Sequence, residues 1–244
     1  AYHTRRLRPG TGRYHWVDTL YAMSEVAVYA AVIDHVEKHG GTLDYGKLFT
    51  DVRECADLSH QDGSILDDVL SDLPRYVVRD PELGVLLHKF RSAGKRLFLL
   101  TNSGPEYTDA MMSYLLGGAL EEYPSWRNFF DYVFTGSKKP RFFTDKAPFV
   151  DVETGEELRA PERGRMYARG NIVDLERTLG FAGDEVLYVG DHIYGDVLRA
   201  KKESTWRTAM IIQEMDDELR VHREHAVSFE RSASLQQARD AVQD

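Results

Sequence analysis

The sequence repeats one local pattern: an amphipathic helix, a glycine, an apolar strand and then a polar cluster. The first copy spans residues 80–100 and ends on the strand RLFLL; the second spans residues 171–190 and ends on VLYVG. Gly94 and Gly180 separate helix from strand in the two copies. Helices that alternate with fully apolar strands are typical of a parallel sheet covered by helices, so we predict an α/β fold.

The remaining chain supplies further predicted elements. We predict helices from Ser24 to Gly40 and over residues 48–70, strands at 132–135 and 208–212, and a β-hairpin at 142–158 with Thr154-Gly155 in its turn. Residues 1–13 are interpreted as a basic connecting loop. The predicted division is a linker and helical cap at 1–79, a core at 80–215 and a helical tail at 216–244.

Composition excludes several classes of protein. The 244 residues carry 31 basic and 40 acidic side chains, a net charge of −9, which argues against a nucleic-acid partner. Cys55 is the single cysteine, so no intrachain disulfide can form. No apolar run approaches the roughly 20 residues of a membrane span. We therefore expect a cytoplasmic protein that does not associate with membranes.

Polar residues follow three of the predicted strands, where open α/β sheets bind ligands. Thr101, Asn102 and Ser103 lead into a helix and suit an anion, although a helix cap and turn would look the same. Asp191 and Asp196 suit Mg²⁺, which often takes one or two carboxylates; the alternative is a cap and a surface acid. Lys139 could neutralise a phosphoryl group or be solvated. Together these clusters indicate phosphoryl transfer.

The same segments resemble the haloacid dehalogenase superfamily. Residues 97–103 (LFLLTNS) resemble its motif II, Lys139 its motif III lysine, and residues 186–196 (VLYVGDHIYGD) its motif IV. The chain is similar in particular to the cytosolic purine 5′-nucleotidases that prefer IMP and GMP, because it also carries DVRECADLSHQDGS at 51–64 and DTL-x-x-x-x-E at 18–25. The resemblance implies a Rossmann-like sheet flanked by helices, with a helical cap insert.

The resemblance also implies roles for individual residues. Thr101 would bind the transferring phosphoryl group with support from Asn102 and Ser103, and Lys139 would neutralise phosphate charge and orient the nucleophile. Asp191 would bind Mg²⁺ directly. Asp196 would either bind the metal as well or support the residues that bind it.

Four cap residues match the family's base-recognition positions. Arg53, Asp57 and His60 match its purine-recognition segment, and Tyr21 matches its stacking aromatic residue. From spacing alone, Arg53 and Asp57 could instead be a surface ion pair, His60 a helix cap and Tyr21 a core residue. The family's lysine after DGS is replaced here by Ile65-Leu66, so the preferred nucleotide stays open.

One expected motif is missing from the sequence. The family uses Asp-x-Asp-x-Thr after an apolar strand: the first aspartate attacks phosphorus, and the second acts as acid and base. The 244 residues contain no such run. By resemblance this strand lies in the middle of the sheet, and its loss would leave unpaired edges at a cost of several kcal/mol. We expect it in an amino-terminal portion upstream of Ala1.

The sequence therefore predicts a Mg²⁺-dependent hydrolase of purine nucleoside 5′-monophosphates that works through an aspartyl phosphate. Two alternatives stay open: a phosphatase for another small phosphate ester, and a non-catalytic nucleotide-binding or scaffold protein that lacks the nucleophile. The charged tail could pack on a partner subunit in a homo-oligomer or form a solvated helix.

Overall fold

The computed structural model describes Val17 and residues 22–181, 183–212 and 215–243. Its α-helices are α1 Met23–Lys38, α2 Tyr45–Gln61, α3 Ser64–Ser71, α4 Leu73–Tyr76, α5 Glu82–Ser92, α6 Pro105–Leu116, α7 Arg141–Thr144, α8 Ile172–Leu179, α9 Arg199–Glu203, α10 Met215–Glu224 and α11 Ala226–Gln243. Its strands are β1 Phe98–Leu100, β2 Tyr132–Thr135, β3 Phe149–Asp151, β4 Glu157–Leu158, β5 Met166–Arg169, β6 Leu187–Gly190 and β7 Arg207–Met210. The loop predicted for residues 1–13 lies outside the described residues.

The fold is α/β, as predicted, but its main sheet is mixed rather than parallel. Strands β1, β2 and β5 run parallel, β3 is antiparallel to β5, and β4 is antiparallel to β3, in the order β1-β2-β5-β3-β4. Strands β6 and β7 form a separate parallel pair. The antiparallel part arises because a tight turn at Thr154-Gly155 reverses the chain. Such a turn can join two antiparallel strands, whereas parallel strands need a longer crossover connection.

Strands β1 and β6 each have an edge without a partner among the described residues. On β1, the Thr101 amide donates to the Phe134 carbonyl, and the Leu97 carbonyl accepts from the Asp131 amide. Because successive residues of a strand face opposite sides, the alternate residues Phe98 and Leu100 turn their backbone groups away from β2. On β6, the Val186 and Gly190 carbonyls accept from Arg207 and Ile211. The backbone groups of Leu187 and Val189 therefore point away from β7. Phe98 of β1 and Leu187 of β6 line the same small cavity, and we call the space between the two free edges the strand slot.

Aromatic side chains fill most of the core around the sheet. Phe134, Phe149 and Tyr167 are fully buried and pack against one another with ring centroids 5.1 to 6.3 Å apart. The buried carboxylate of Asp131 accepts from the Leu97 amide at 2.8 Å and pairs with Arg91 at 3.2 Å, and it also pairs with Arg163. These partners offset the cost of burying its charge beside β1.

Several predicted elements are confirmed, and others are wrong. The helices expected after Ser24 and Asn171 form, and the Asn171 side chain caps α8 by accepting from the Asp174 amide at 2.9 Å. The single helix over 48–70 is wrong, because Gly63 with a φ of 87° divides it into α2 and α3. The hairpin begins only at Phe149, since residues 141–144 form helix α7.

The tail is helical and consists of α10 and α11. The two helices contact each other through His222 and Phe229, whose rings stack at 4.7 Å. Within the part of the chain that the structure describes, no helix is long and apolar enough to cross a membrane.

Candidate functional site

A single cavity of about 740 Å³ opens at the carboxyl ends of β1, β2 and β6. Three separate loops build it, and each follows the carboxyl end of a parallel strand: β1 and β2 of the main sheet and β6 of the separate pair. The lining residues are Thr101, Asn102, Lys139, Pro140, Asp191, His192, Asp196, Leu198, Arg199 and Lys202. Five residues that the sequence predicted for phosphate or metal binding thus surround one space, although they are up to 95 positions apart.

The loop after β1 presents Thr101 at the mouth of the cavity. Its Oγ1 accepts from the Ser103 amide at 3.1 Å, and its carbonyl accepts from the amide and the hydroxyl of Ser137 at 3.0 and 2.8 Å. These bonds fix the turn that leads into α6, which begins with Pro105. Among the described residues no acceptor engages the Thr101 hydroxyl proton, so this O–H can donate to an anion in the cavity. Ser103 itself lies outside the lining.

The loop after β2 brings Lys139 to the centre of the site. Its Nζ donates to Asp196 Oδ1 at 2.8 Å, to the Tyr188 hydroxyl at 2.9 Å and to the Leu100 carbonyl at 3.2 Å. The ion pair is largely shielded from water, with side-chain exposures of 13% for Lys139 and 7% for Asp196. A shielded cation beside an open cavity can stabilise negative charge more strongly than one in bulk water.

Asp196 is held by three donors. Besides Lys139, the Tyr188 hydroxyl donates to Oδ1 at 2.8 Å and the His192 amide donates to Oδ2 at 3.4 Å. Burial alone would raise the pKa of Asp196, but the hydrogen bond and charge of Lys139, with help from Tyr188, hold it below its ordinary value. Burial, reinforced by the Asp196 charge, raises the pKa of Tyr188, which therefore stays a hydroxyl donor.

The loop after β6 determines which carboxylate is accessible. Gly190 allows the close approach of Asp196, since a Cβ at this glycine would lie 2.7 Å from the Asp196 side chain. Residues Ile193–Leu198 then form a π-helical turn, with the Val197 amide donating to the His192 carbonyl at 3.3 Å. Asp191 is exposed in the cavity, whereas Asp196 is buried behind it.

Two carboxylates that line the cavity, those of Asp191 and Asp196, are candidate ligands for Mg²⁺. Asp191 offers a carboxylate to the cavity. Among the described residues, the Oδ2 atom of Asp196 accepts only the long bond from the His192 amide, while Oδ1 is already engaged by Lys139 and Tyr188. No group of three or more His, Cys, Asp or Glu side chains converges as a metal site within the described ranges. One or two carboxylates completed by water fit Mg²⁺, which retains several waters, better than a metal that needs a full protein cage.

Three of the four residues predicted for base recognition lie on α2, outside the cavity lining. Arg53 and Asp57 are exposed and His60 is half-buried, on successive turns of one helix. Arg53 pairs with Glu25 on α1 at 3.8 Å, so an ion pair joins the two segments on which the resemblance to the purine 5′-nucleotidases rests. Tyr21 lies outside the described residues.

The structure adds residues that the sequence analysis did not assign to the site. Tyr188 was interpreted as part of an apolar strand, and no local pattern distinguishes it from a core residue. Arg199 and Lys202 line the cavity from α9, spaced one helical turn apart after Asp196. Asp196, Arg199 and Lys202 follow one another at intervals of three residues, and this spacing was the available signal.

Comparisons with known proteins identify the family to which the chain belongs. The model of the 5′ nucleotidase family matches residues 1–244. The 5′-nucleotidase domain-containing protein 2 of Rattus norvegicus is 33% identical over 208 residues, which cover 83% of this chain and 36% of that protein. The protein of the same name from Homo sapiens is 32% identical over 208 residues, 83% of this chain and 39% of the relative. The chain thus spans well under half of either relative, and over its own full length it belongs to the 5′ nucleotidase family.

Proposed function

We propose that this chain carries the phosphate-binding half of a Mg²⁺-dependent 5′-nucleotidase that hydrolyses purine nucleoside 5′-monophosphates. The observation that carries the proposal is the meeting of Thr101, Lys139 and Asp191 in one cavity at three strand ends. A hydroxyl donor, a shielded ammonium and an accessible carboxylate are the groups that a phosphate monoester and its metal ion need.

In this proposal the Thr101 hydroxyl and the Lys139 ammonium bind the phosphoryl oxygens and offset the charge that develops on them. Asp191, with Asp196 behind it, would hold Mg²⁺, which supplies further neutralisation of phosphate charge when bound. An aspartate attacks phosphorus and the bond from phosphorus to the nucleoside 5′-oxygen breaks, while the second aspartate of the family motif gives that oxygen a proton. The same second aspartate then takes a proton from water, which cleaves the aspartyl phosphate, releases inorganic phosphate and restores the first aspartate. The attacking aspartate would come from a strand outside the described residues.

The strand slot supports this assignment of the nucleophile. The free edges of β1 and β6 both belong to parallel strands whose carboxyl ends border the cavity. A parallel strand placed between them would satisfy both rows of backbone groups and deliver its last residue to the same cavity. A haloacid dehalogenase-like sheet completed in this way, with α1–α4 as its cap, is part of the proposal.

The test uses the complete encoded protein. Phosphate release would be measured for IMP, GMP, AMP and a sugar phosphate, each with and without Mg²⁺. We expect the highest kcat/KM for a purine monophosphate and loss of turnover without the metal. Asp191→Asn should abolish this activity, whereas Asp184→Asn, at an exposed acid outside the cavity, should not. Preference for the sugar phosphate would favour the alternative phosphatase, and nucleotide binding without turnover would favour the binding protein.

A further inference from the structure

Tyr188 combines a packing role with a polar one. Its side chain is buried in β6, where its ring lies 6.1 Å from that of Phe143 and 5.7 Å from that of Trp206. At the other end, its hydroxyl donates to Asp196 and accepts from Lys139. The hydroxyl therefore closes a triangle with two charged groups of the site while aromatic neighbours fix the ring.

The ammonium of Lys139 has all three of its N–H donors engaged. The acceptors are the carboxylate of Asp196 and two neutral oxygens, the hydroxyl of Tyr188 and the carbonyl of Leu100. A phosphoryl oxygen can receive an N–H from this lysine only by replacing one acceptor. The carboxylate is the strongest of the three because it is charged.

The Leu100 carbonyl is the acceptor that Lys139 can most readily give up. Its distance of 3.2 Å is the longest of the three, and it points to the free edge of β1. A backbone N–H entering the strand slot would bond to this carbonyl in place of Lys139. Tyr188 and Asp196 would then remain as the two acceptors that define where the third N–H points.

We propose that Tyr188 is a positioning residue of the site, whose hydroxyl holds Lys139 and Asp196 in a fixed arrangement so that one N–H of Lys139 faces the phosphoryl group. The inference rests on the proposed phosphatase function. A lysine side chain held by a single ion pair to a carboxylate keeps much of its rotational freedom, and a further contact from a rigid ring restricts it. A correctly oriented donor contributes most in the transition state, where the phosphoryl charge is redistributed.

Tyr188→Phe in the complete protein isolates the hydroxyl, because the ring and its packing are kept. The matched control is Tyr167→Phe: Tyr167 is fully buried in β5, and its hydroxyl accepts from the Glu162 amide at 2.8 Å, away from the cavity. We expect Tyr188→Phe to lower kcat about tenfold with KM changed less than about threefold. Tyr167→Phe should keep kcat. Equal kcat values for the two variants would overturn the positioning role.

A second readout does not depend on catalysis. Reductive methylation of lysines, followed by mass spectrometry, would measure how freely Lys139 reacts relative to the exposed Lys146. We expect slow labelling of Lys139 in the wild type, faster labelling in Tyr188→Phe and no change in Tyr167→Phe. If the wild type hydrolyses no phosphate ester, the proposed function fails while this measurement still tests Tyr188. Unchanged labelling in Tyr188→Phe would refute the proposed anchoring.

Discussion

Asn102 holds both backbone groups of Lys139 with one side-chain amide. Its Oδ1 accepts from the Lys139 amide at 2.5 Å, and its Nδ2 donates to the Lys139 carbonyl at 3.0 Å. The loop after β1 is thereby joined to the loop after β2 at the residue that carries the central cation. The amide of Asn102 sets the backbone of Lys139, and the triangle with Tyr188 and Asp196 sets its side chain.

Asn102→Ala should therefore loosen the Lys139 loop. Three hydrogen bonds are lost at an exposed position, those with the amide and carbonyl of Lys139 and with the Ser137 hydroxyl, so we expect the free energy of unfolding to fall by about 1 kcal/mol. The affinity for inorganic phosphate should fall as well, because Lys139 is no longer held at the cavity. Urea unfolding and calorimetric titration with phosphate measure the two effects. Ser103→Ala is the control, since within the described residues no hydrogen bond of the Ser103 side chain is seen. Equal stability of the two variants would contradict this prediction.

The ion pair between Lys139 and Asp196 should show strong energetic coupling. Removing one partner leaves a shielded charge without compensation, so Lys139→Met should destabilise the fold by about 3 kcal/mol. Combining it with Asp196→Asn should cost clearly less than the sum of the single changes, because the second substitution removes the uncompensated charge. Chemical unfolding of the four proteins in this double-mutant cycle gives the coupling energy.

The pair Lys47 and Asp51 provides the control for that cycle. Its atoms approach to 2.6 Å, closer than in the buried pair, but the side chains are 71% and 48% exposed. Exposed pairs at i, i+4 spacing are worth only about 0.3–0.5 kcal/mol. A coupling energy for Lys139 and Asp196 no larger than that of the exposed pair would show that shielding does not strengthen the site.

Asp174 should make the stability of α8 depend on pH. A hydrogen bond from Asn171 at 2.9 Å, with Arg159 and Arg177 at 3.2 and 2.7 Å, lowers the pKa of this carboxyl against the opposing effect of burial. A carboxyl with a lowered pKa in the folded state contributes stability above its ordinary value near 3.8 and loses it as the pH falls through the lowered value.

Unfolding by urea between pH 7 and pH 3 tests this linkage. We expect Asp174→Asn to be less stable than the wild type at pH 7. The difference should shrink progressively below about pH 4, where the Asp174 carboxyl of the unfolded wild type takes up a proton before that of the folded protein does. A difference that is constant over this range would show that the charge of Asp174 contributes nothing.

The sequence predicts the cavity better than the sheet around it. The bounds of β2 agree with the prediction, because residues 132–135 are uniformly apolar or β-branched between an aspartate and a glycine. Strand β5 was not predicted, since Met166–Arg169 is four residues long and follows charged residues. Its strand state comes from pairing with β2 and β3, a tertiary effect that local propensity does not report.

In the site, too, some features can be predicted from local sequence and others depend on contacts that form only in the folded chain. Thr101, Lys139 and Asp191 follow recognisable strands, so their position after the carboxyl ends of three strands could be derived from the sequence. The role of Tyr188 could not, because it depends on the distances from its hydroxyl to Lys139 and Asp196. The mixed direction of the sheet likewise depends on the turn at Thr154-Gly155, which the sequence indicated without showing where its strands pair.

The strand slot gives the last prediction, which concerns hydrogen exchange. The amides of Phe98, Leu100, Leu187 and Val189 point to the free edges of β1 and β6 and have no acceptor among the described residues, so we expect them to exchange rapidly in the 244-residue chain. The amides of Leu99 and Tyr188 face β2 and β7 and should be protected, which makes them internal controls. In the complete encoded protein a strand between β1 and β6 would protect the first set to the level of the second. Rapid exchange at Leu100 and Val189 in that protein would show that no strand occupies the slot, and the attacking aspartate would then have to reach the cavity from elsewhere.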